Sequence, residues 1–248
     1  MRYLSCPRKK TCFAHTPKSG VESLILLILR EQGHSDINRN IWTPSRPYKV
    51  NTIPNDYEYV SISRNPYNRL VSGYIDKFLT GNFHNLKFCE DVMKHYGRSM
   101  DDMKRITFEE LVKYLMEADK SKVDPHFATQ ISTITKQRNP QLFKIEEKSI
   151  HDKLEDLGFE NEFTNYRDEF LYGWAKEDRP EAYKMGFDEF NIFDTYRGYP
   201  LDENQQGYTD DNNNHGVMPL YHNFYNDELK EMVYEYYKED FEYFNYEK

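Results

Sequence analysis

A chain of 248 residues is long enough to bury a substantial core as one large domain or two small ones. Its formal net charge of −9 excludes a generic nucleic-acid binder, which needs a basic face for the phosphate backbone, so any anionic ligand must be met by local positive charge. The three cysteines, Cys6, Cys12 and Cys89, lack metal-ligand spacing and are odd in number, so neither a zinc site nor a disulfide framework is indicated and no metal is expected.

In chain order, "TCFAHT" has strand-like content. It leads through Pro17, Lys18, Ser19 and Gly20 into a helix over about 20–32, which Gly33 can end in a left-handed conformation. That helix is apolar nearly all round and should be buried. "YEYVSIS" (Tyr57 to Ser63) reads as a strand. It is followed by a helix with Asn65 as cap, Pro66 at the first position, an apolar stripe of Leu70, Tyr74, Ile75 and Phe78, and Gly81 as its end. Thr107 with Glu110 forms a capping box ahead of a further helix, and "QLFKIEE" (Gln141 to Glu147) reads as another strand. The polar, aromatic stretch over about 160–216 has weak periodicity and reads as an irregular insertion, an acceptor or lid region. Within it, Phe170, Tyr172 and Trp174 offer surfaces for stacking on sugars or for core packing, and 202–216 has the composition of a loop able to close over a ligand. A capping Asn226 opens one amphipathic C-terminal helix with Leu229, Met232, Val233, Tyr236, Tyr237 and Phe241 on its apolar face.

Alternating strands and helices with no Pro/Gly/Ser-rich linker predict a single α/β domain over 1–248, with a mostly parallel central sheet flanked by helices. The N-terminus has no signal-like apolar core. The longest aliphatic run, Leu24 to Leu29, falls far short of a membrane span of roughly 20 residues, so a soluble protein, cytoplasmic or otherwise without an anchor, is expected.

In such sheets ligands sit beyond the carboxyl ends of the strands, where both Lys18 and Arg64 fall. A lysine beside a helix start makes an anion cradle. Ser72 follows Asn65 by seven residues, nearly two turns, so a guanidinium and a hydroxyl can hold one phosphate. The nucleotide loop G-x-x-x-x-G-K-[ST] is absent, which disfavours a magnesium-dependent kinase-like phosphotransferase. Two anion sites on neighbouring strand ends suit a nucleoside phosphorylated at both ends.

These segments resemble a known family. "FAHTPKSGVESL" is similar to the 5′-phosphosulfate loop, and "SRNPYNRLVSGY" to the 3′-phosphate motif, of sulfotransferases that use 3′-phosphoadenosine 5′-phosphosulfate (PAPS). "VDPHFATQ", "LFKIEE" and "YEYYKEDFEYFNY" resemble further segments of the carbohydrate sulfotransferase branch, so the likeness covers roughly the first 80 residues, 120–150 and the last 30 or so. The resemblance implies a P-loop-like sulfotransferase fold. It also implies a PAPS site built from Lys18, Ser19, Gly20, Val21, Glu22, Ser23, Arg64 and Ser72, and transfer to a hydroxyl of a carbohydrate or related acceptor. Lys18 would stabilise the leaving phosphate. His126 is the first candidate for the base, beside a purely structural histidine, with Glu22, His34 and His15 as further candidates. Arg69 assists Arg64 or, as the better-supported alternative, lies on a solvated helix face; Glu146 orients or pairs with a lysine. Where the family usually has threonine this chain has Glu22, which either faces the donor or turns outward and leaves binding to the backbone N–H groups of Ser19 to Ser23. The alternative is a catalytically silent phosphoadenosine-nucleotide-binding or interaction protein on the same fold.

Overall fold

The computed structural model describes residues 3–35, 41–79, 86–131, 136, 138–147, 149–159, 175–178, 180–185 and 217–248. By their contacts the residues fall into two compact units. The first comprises Met1–Arg69, Thr129–Phe170 and Lys238–Lys248, and the second Leu70–Ala128 and Leu171–Tyr237.

The first unit is built on a five-stranded mixed sheet of β1 (Tyr3–Cys6), β2 (Thr11–Ala14), β3 (Lys49–Val50), β4 (Glu58–Ser63) and β5 (Gln141–Lys144), in the order β3-β1-β2-β4-β5. The expected parallel arrangement holds on one side of the sheet: β2 pairs with β4 and β4 with β5, both parallel. The other half is antiparallel, because β1 and β2 form a tight hairpin across the turn Pro7–Lys9, with Lys10 left-handed at φ 46°. The motif pattern gave no sign of β1, whose residues are too few to show alternation. Every residue of β1 and β2 is buried, as suits interior strands covered on both faces.

Helix α1 (Val21–Glu31) connects β2 towards β4, and its seven consecutive residues Ser23 to Leu29 are all buried, as the apolar run requires. Gly33 follows at φ 86° and His34 N–H returns to the Leu29 carbonyl, the left-handed end expected from the sequence. Helix α2 (Pro66–Tyr74) starts in the first unit and ends in the second.

The second unit continues α2 as a π-helical turn, Ile75–Leu79, then α3 (Leu86–His95) and α4 (Phe108–Glu117). Thr107 and Glu110 form the reciprocal capping box. Leu70, Tyr74, Ile75 and Phe78 are buried as their spacing predicts; Gly81 lies outside the described residues. Helix α5 (Ile150–Asp156) belongs to the first unit, where Ile150 and Leu154 are buried. A short parallel pair, β6 (Ala175–Glu177) with β7 (Val217–Pro219), lies in the second unit.

The single C-terminal helix expected from periodicity is instead two helices, α6 (Asp227–Tyr236) and α7 (Lys238–Phe244). Asn226 caps α6 through the Leu229 N–H. Tyr237 breaks the run with φ −105° and ψ 19°, while its hydroxyl donates to the Phe127 carbonyl at 2.6 Å. The apolar stripe continues through this break, which is why periodicity alone reads it as one helix.

Among the described residues no helix is long and apolar enough to cross a membrane. All three cysteines are buried and unbridged.

Gly73 is closely packed against the Phe127 ring and the His126 backbone. A Cβ there would lie 2.8 Å from Phe127 Cε1 and 3.3 Å from the His126 carbonyl oxygen. Gly73→Ala is therefore expected to destabilise the protein by about 1–3 kcal/mol, read as a lower urea midpoint with an unchanged slope.

Candidate functional site

The parallel register sets Ala14 opposite Ser61, so β2 and β4 end side by side and release their following turns at neighbouring corners. At the first corner the chain turns through Thr16 to Gly20, closed by the Ser19 N–H on the Thr16 carbonyl. Lys18 sits at φ 68° and Gly20 at φ 74°. Glycine takes that region freely, whereas a lysine there is strained, a cost met mostly where function needs the geometry. Gly20 is the N-cap of α1 and supplies no side-chain cap, which leaves the helix start open to an anion. Lys18 and Val21 are half-buried, and Ser19 and Ser23 are buried. Glu22 is half-buried in the first helical turn, where a carboxylate complements the positive end of the helix dipole.

At the second corner Arg64 Nη1 donates to the Lys18 carbonyl at 3.0 Å, joining the two turns directly. Asn65 caps α2 by accepting from the Tyr67 N–H at 2.9 Å. Arg69 is fully buried, with Nε donating to the Pro17 carbonyl at 3.1 Å, which overturns its expected place on a solvated helix face. Burial raises the pKa of the Asp240 carboxyl, and the Gln130 N–H and the Arg69 guanidinium pull it part of the way back down. Glu146 accepts from the Asn65 N–H at 2.7 Å and from the Tyr246 hydroxyl at 3.0 Å, so it fixes backbone and C-terminus.

Sequence reasoning assigned no role to Gln130, although its side chain meets both corners. Oε1 accepts from the Arg64 N–H at 2.9 Å and from Ser19 Oγ at 3.0 Å, and Nε2 donates to the Arg64 carbonyl at 2.8 Å. Its place in the "VDPHFATQ" segment was the available signal.

Ser72 and His126 belong to the second unit. Ser72 is buried on α2. His126 Nδ1 lies 2.6 Å from Asp124 Oδ1, which also accepts the His126 backbone N–H at 2.7 Å. A carboxylate there holds the proton on Nδ1 and leaves Nε2 basic. Nε2 stands 4.0 Å from Asp76 Oδ2, and Asp76 pairs with Lys77 at 3.0 Å on the π-helical turn. Asp76 and Lys77 are both buried. Helical periodicity missed them, because a π turn rotates side chains away from their α-helical directions and such turns favour functional sites.

Of the remaining candidates, His34 is exposed and hydrogen-bonds Tyr48 Oη at 3.0 Å. Phe170, Tyr172, Trp174 and the loop 202–216 lie outside the described residues. Among the described residues no group of three or more His, Cys, Asp or Glu side chains could hold a metal ion.

His15 follows β2 directly. Its Nδ1 is sealed from solvent and has no hydrogen-bond partner. Burial, with the Lys49 ammonium adding, pulls its pKa down from 6.5 to about 4. The folded protein thus holds His15 neutral where the unfolded chain protonates it, so the stabilisation is complete above pH 6.5 and is lost as pH falls towards 4. At about 1.4 kcal/mol per pKa unit the loss is roughly 2–3 kcal/mol. Urea titrations from pH 7 to 4 should show this slope in the wild type and a flatter one in His15→Gln.

A family model described as the sulfotransferase family matches residues 1–247. The chain is also similar to carbohydrate sulfotransferase 10 of Gallus gallus, at 26% identity over 153 residues, covering 52% of this chain and 42% of that protein. The match thus spans less than half the length of that relative. No solved structure matches the chain.

Proposed function

Since the chain belongs to the sulfotransferase family, we propose that it transfers the sulfuryl group of PAPS to a hydroxyl of a carbohydrate or related acceptor. The observation that carries this proposal is the junction of two cationic corners at adjacent strand ends, where the Arg64 guanidinium bonds the Lys18 carbonyl beside a helix start with no side-chain cap. The polar set fits a donor with anionic groups at both ends.

Each residue then has a defined task. The backbone N–H groups of Ser19 to Ser23 cradle the 5′-phosphosulfate, and Lys18 meets the charge that grows on the departing phosphate, worth a few kcal/mol in a shielded site. Arg64 takes the 3′-phosphate, a task the motif resemblance also gives to Ser72. The donor supplies the sulfuryl group, and the acceptor hydroxyl must lose its proton as it bonds to sulfur. His126 receives that proton at Nε2 while Asp124 keeps Nδ1 protonated. Asp76, beside Nε2, stabilises the imidazolium that results. Glu22 remains at the helix start as a dipole partner rather than a base.

The test is a thermal-shift series, because a ligand that binds only the native state raises the midpoint. Adenosine 3′,5′-bisphosphate should stabilise the protein where ATP, GTP and NAD do not, and Arg64→Ala should abolish that preference. With labelled PAPS and a panel of glycans, Lys18→Ala should cut turnover by about 100-fold or more. His126→Ala should lower kcat by about 100- to 10,000-fold with little change in donor KM. Bisphosphate binding with no transfer to any acceptor would instead favour a silent nucleotide-binding protein, to which the Glu22 charge in the donor loop lends support. Equal stabilisation by ATP would sink the proposal.

A further inference from the structure

Gln130 is almost fully buried and its amide orientation is fixed on both sides. The Arg64 N–H must face the oxygen and the Arg64 carbonyl must face the nitrogen, so the side chain pairs with that peptide as a neighbouring strand would. The same oxygen takes the Ser19 hydroxyl proton. Ser19 Oγ, lying 3.0 Å from Thr16 Oγ1, therefore accepts from the Thr16 hydroxyl. One amide thus ties the turn that carries Lys18 to the residue that carries the second cation.

Gln130 is itself held from the far end of the chain. The Asp240 carboxylate on α7 accepts the Gln130 N–H at 2.9 and 2.8 Å through its two oxygens, and the Ile131 N–H at 2.9 Å. Arg69 supplies the opposing charge and also grips the Pro17 carbonyl. No shorter or apolar side chain replaces this arrangement. Asparagine is one methylene too short, methionine leaves the Arg64 peptide groups without their partner, and glutamate sets an oxygen against the Arg64 carbonyl.

We propose that Gln130 is a positioning residue for the donor site: it sets the Lys18 turn and the Arg64 corner at a fixed separation, with Asp240 as its anchor. The inference rests on the sulfotransferase reading for its functional consequence, whereas the clamp itself is a property of the protein without ligand. Losing the amide lets the two cations drift relative to each other, so a ligand that engages both must spend binding energy restoring the geometry.

The test uses the full chain, with Gln130→Ala, Gln130→Glu and, as a control of general stability, Leu229→Ala in the core of the second unit. Amide exchange at Arg64 in the ligand-free protein is measured by NMR, and adenosine 3′,5′-bisphosphate affinity by calorimetry. Gln130→Ala should accelerate Arg64 exchange at least tenfold and weaken the bisphosphate at least tenfold, raising donor KM more than it lowers kcat. Gln130→Glu should fall between wild type and Gln130→Ala, and it carries the test with the same readouts should Gln130→Ala not fold. Leu229→Ala should lower the melting temperature with donor KM unchanged. Arg64 exchange within twofold of wild type in the Gln130 variants, or bisphosphate affinity within twofold, overturns the proposal. A wild type that binds no bisphosphate refutes the sulfotransferase reading, and Arg64 exchange then decides the clamp by itself.

Discussion

Parallel pairing of β2 with β4 is the constraint on which the first unit's chemistry depends. With Ala14 opposite Ser61, two chain segments leave the sheet at the same level and in the same direction. Neighbouring turns separated by the spacing of two strands, roughly 5 Å, can share side chains. Arg64 can then reach the Lys18 carbonyl, Arg69 the Pro17 carbonyl and Gln130 both corners. A shift of one residue in that register would turn every side chain of β4 to the other face and separate the corners. β4 is held in that register from both sides, by its ladders to β2 and to β5.

The cost of this arrangement is polar burial. Arg69, Gln130 and Asp240 are nearly or fully inaccessible to water. Each is satisfied by partners rather than by solvent, the condition under which such groups are tolerated. The second unit shows the same economy at the π-helical turn, where Asp76 and Lys77 neutralise each other beside the His126–Asp124 pair. A buried ion pair contributes little net stability compared with an apolar pair of similar size. This pair stands on the π turn with Asp76 Oδ2 4.0 Å from His126 Nε2.

Local structure was legible in the sequence and long-range contacts were not. The all-round apolar run from Leu24 to Leu29 dictates a buried helix, Thr107 with Glu110 dictates the cap of α4, and Pro17 to Gly20 marks the turn ahead of α1, because each signal lies within a few residues. Arg69 reads as a surface residue because its partners, Pro17 and Asp240, are distant along the chain. Gln130 stands 66 residues from Arg64 and 110 from Asp240, so no window of periodicity could link them. The break at Tyr237 escapes notice for the same reason: the bond that marks it goes to the Phe127 carbonyl. Asp76 and Lys77 fail differently, since the α-helical template assigns them directions that a π turn does not follow.

The anchoring of Gln130 by a carboxylate on the last helix has a consequence for biosynthesis. During translation the Lys18 turn, the Arg64 corner and Gln130 all leave the ribosome well before Asp240 does. The two cationic corners can be made early, but the carboxylate that anchors their brace follows 110 residues after Gln130. Contacts of such large sequence separation carry a high loop-closure cost and form late. A growing polypeptide thus lacks the anchor of Gln130 until α7 has been made, and a chain that stalls before that point would leave the spacing of the Lys18 turn and the Arg64 corner unset.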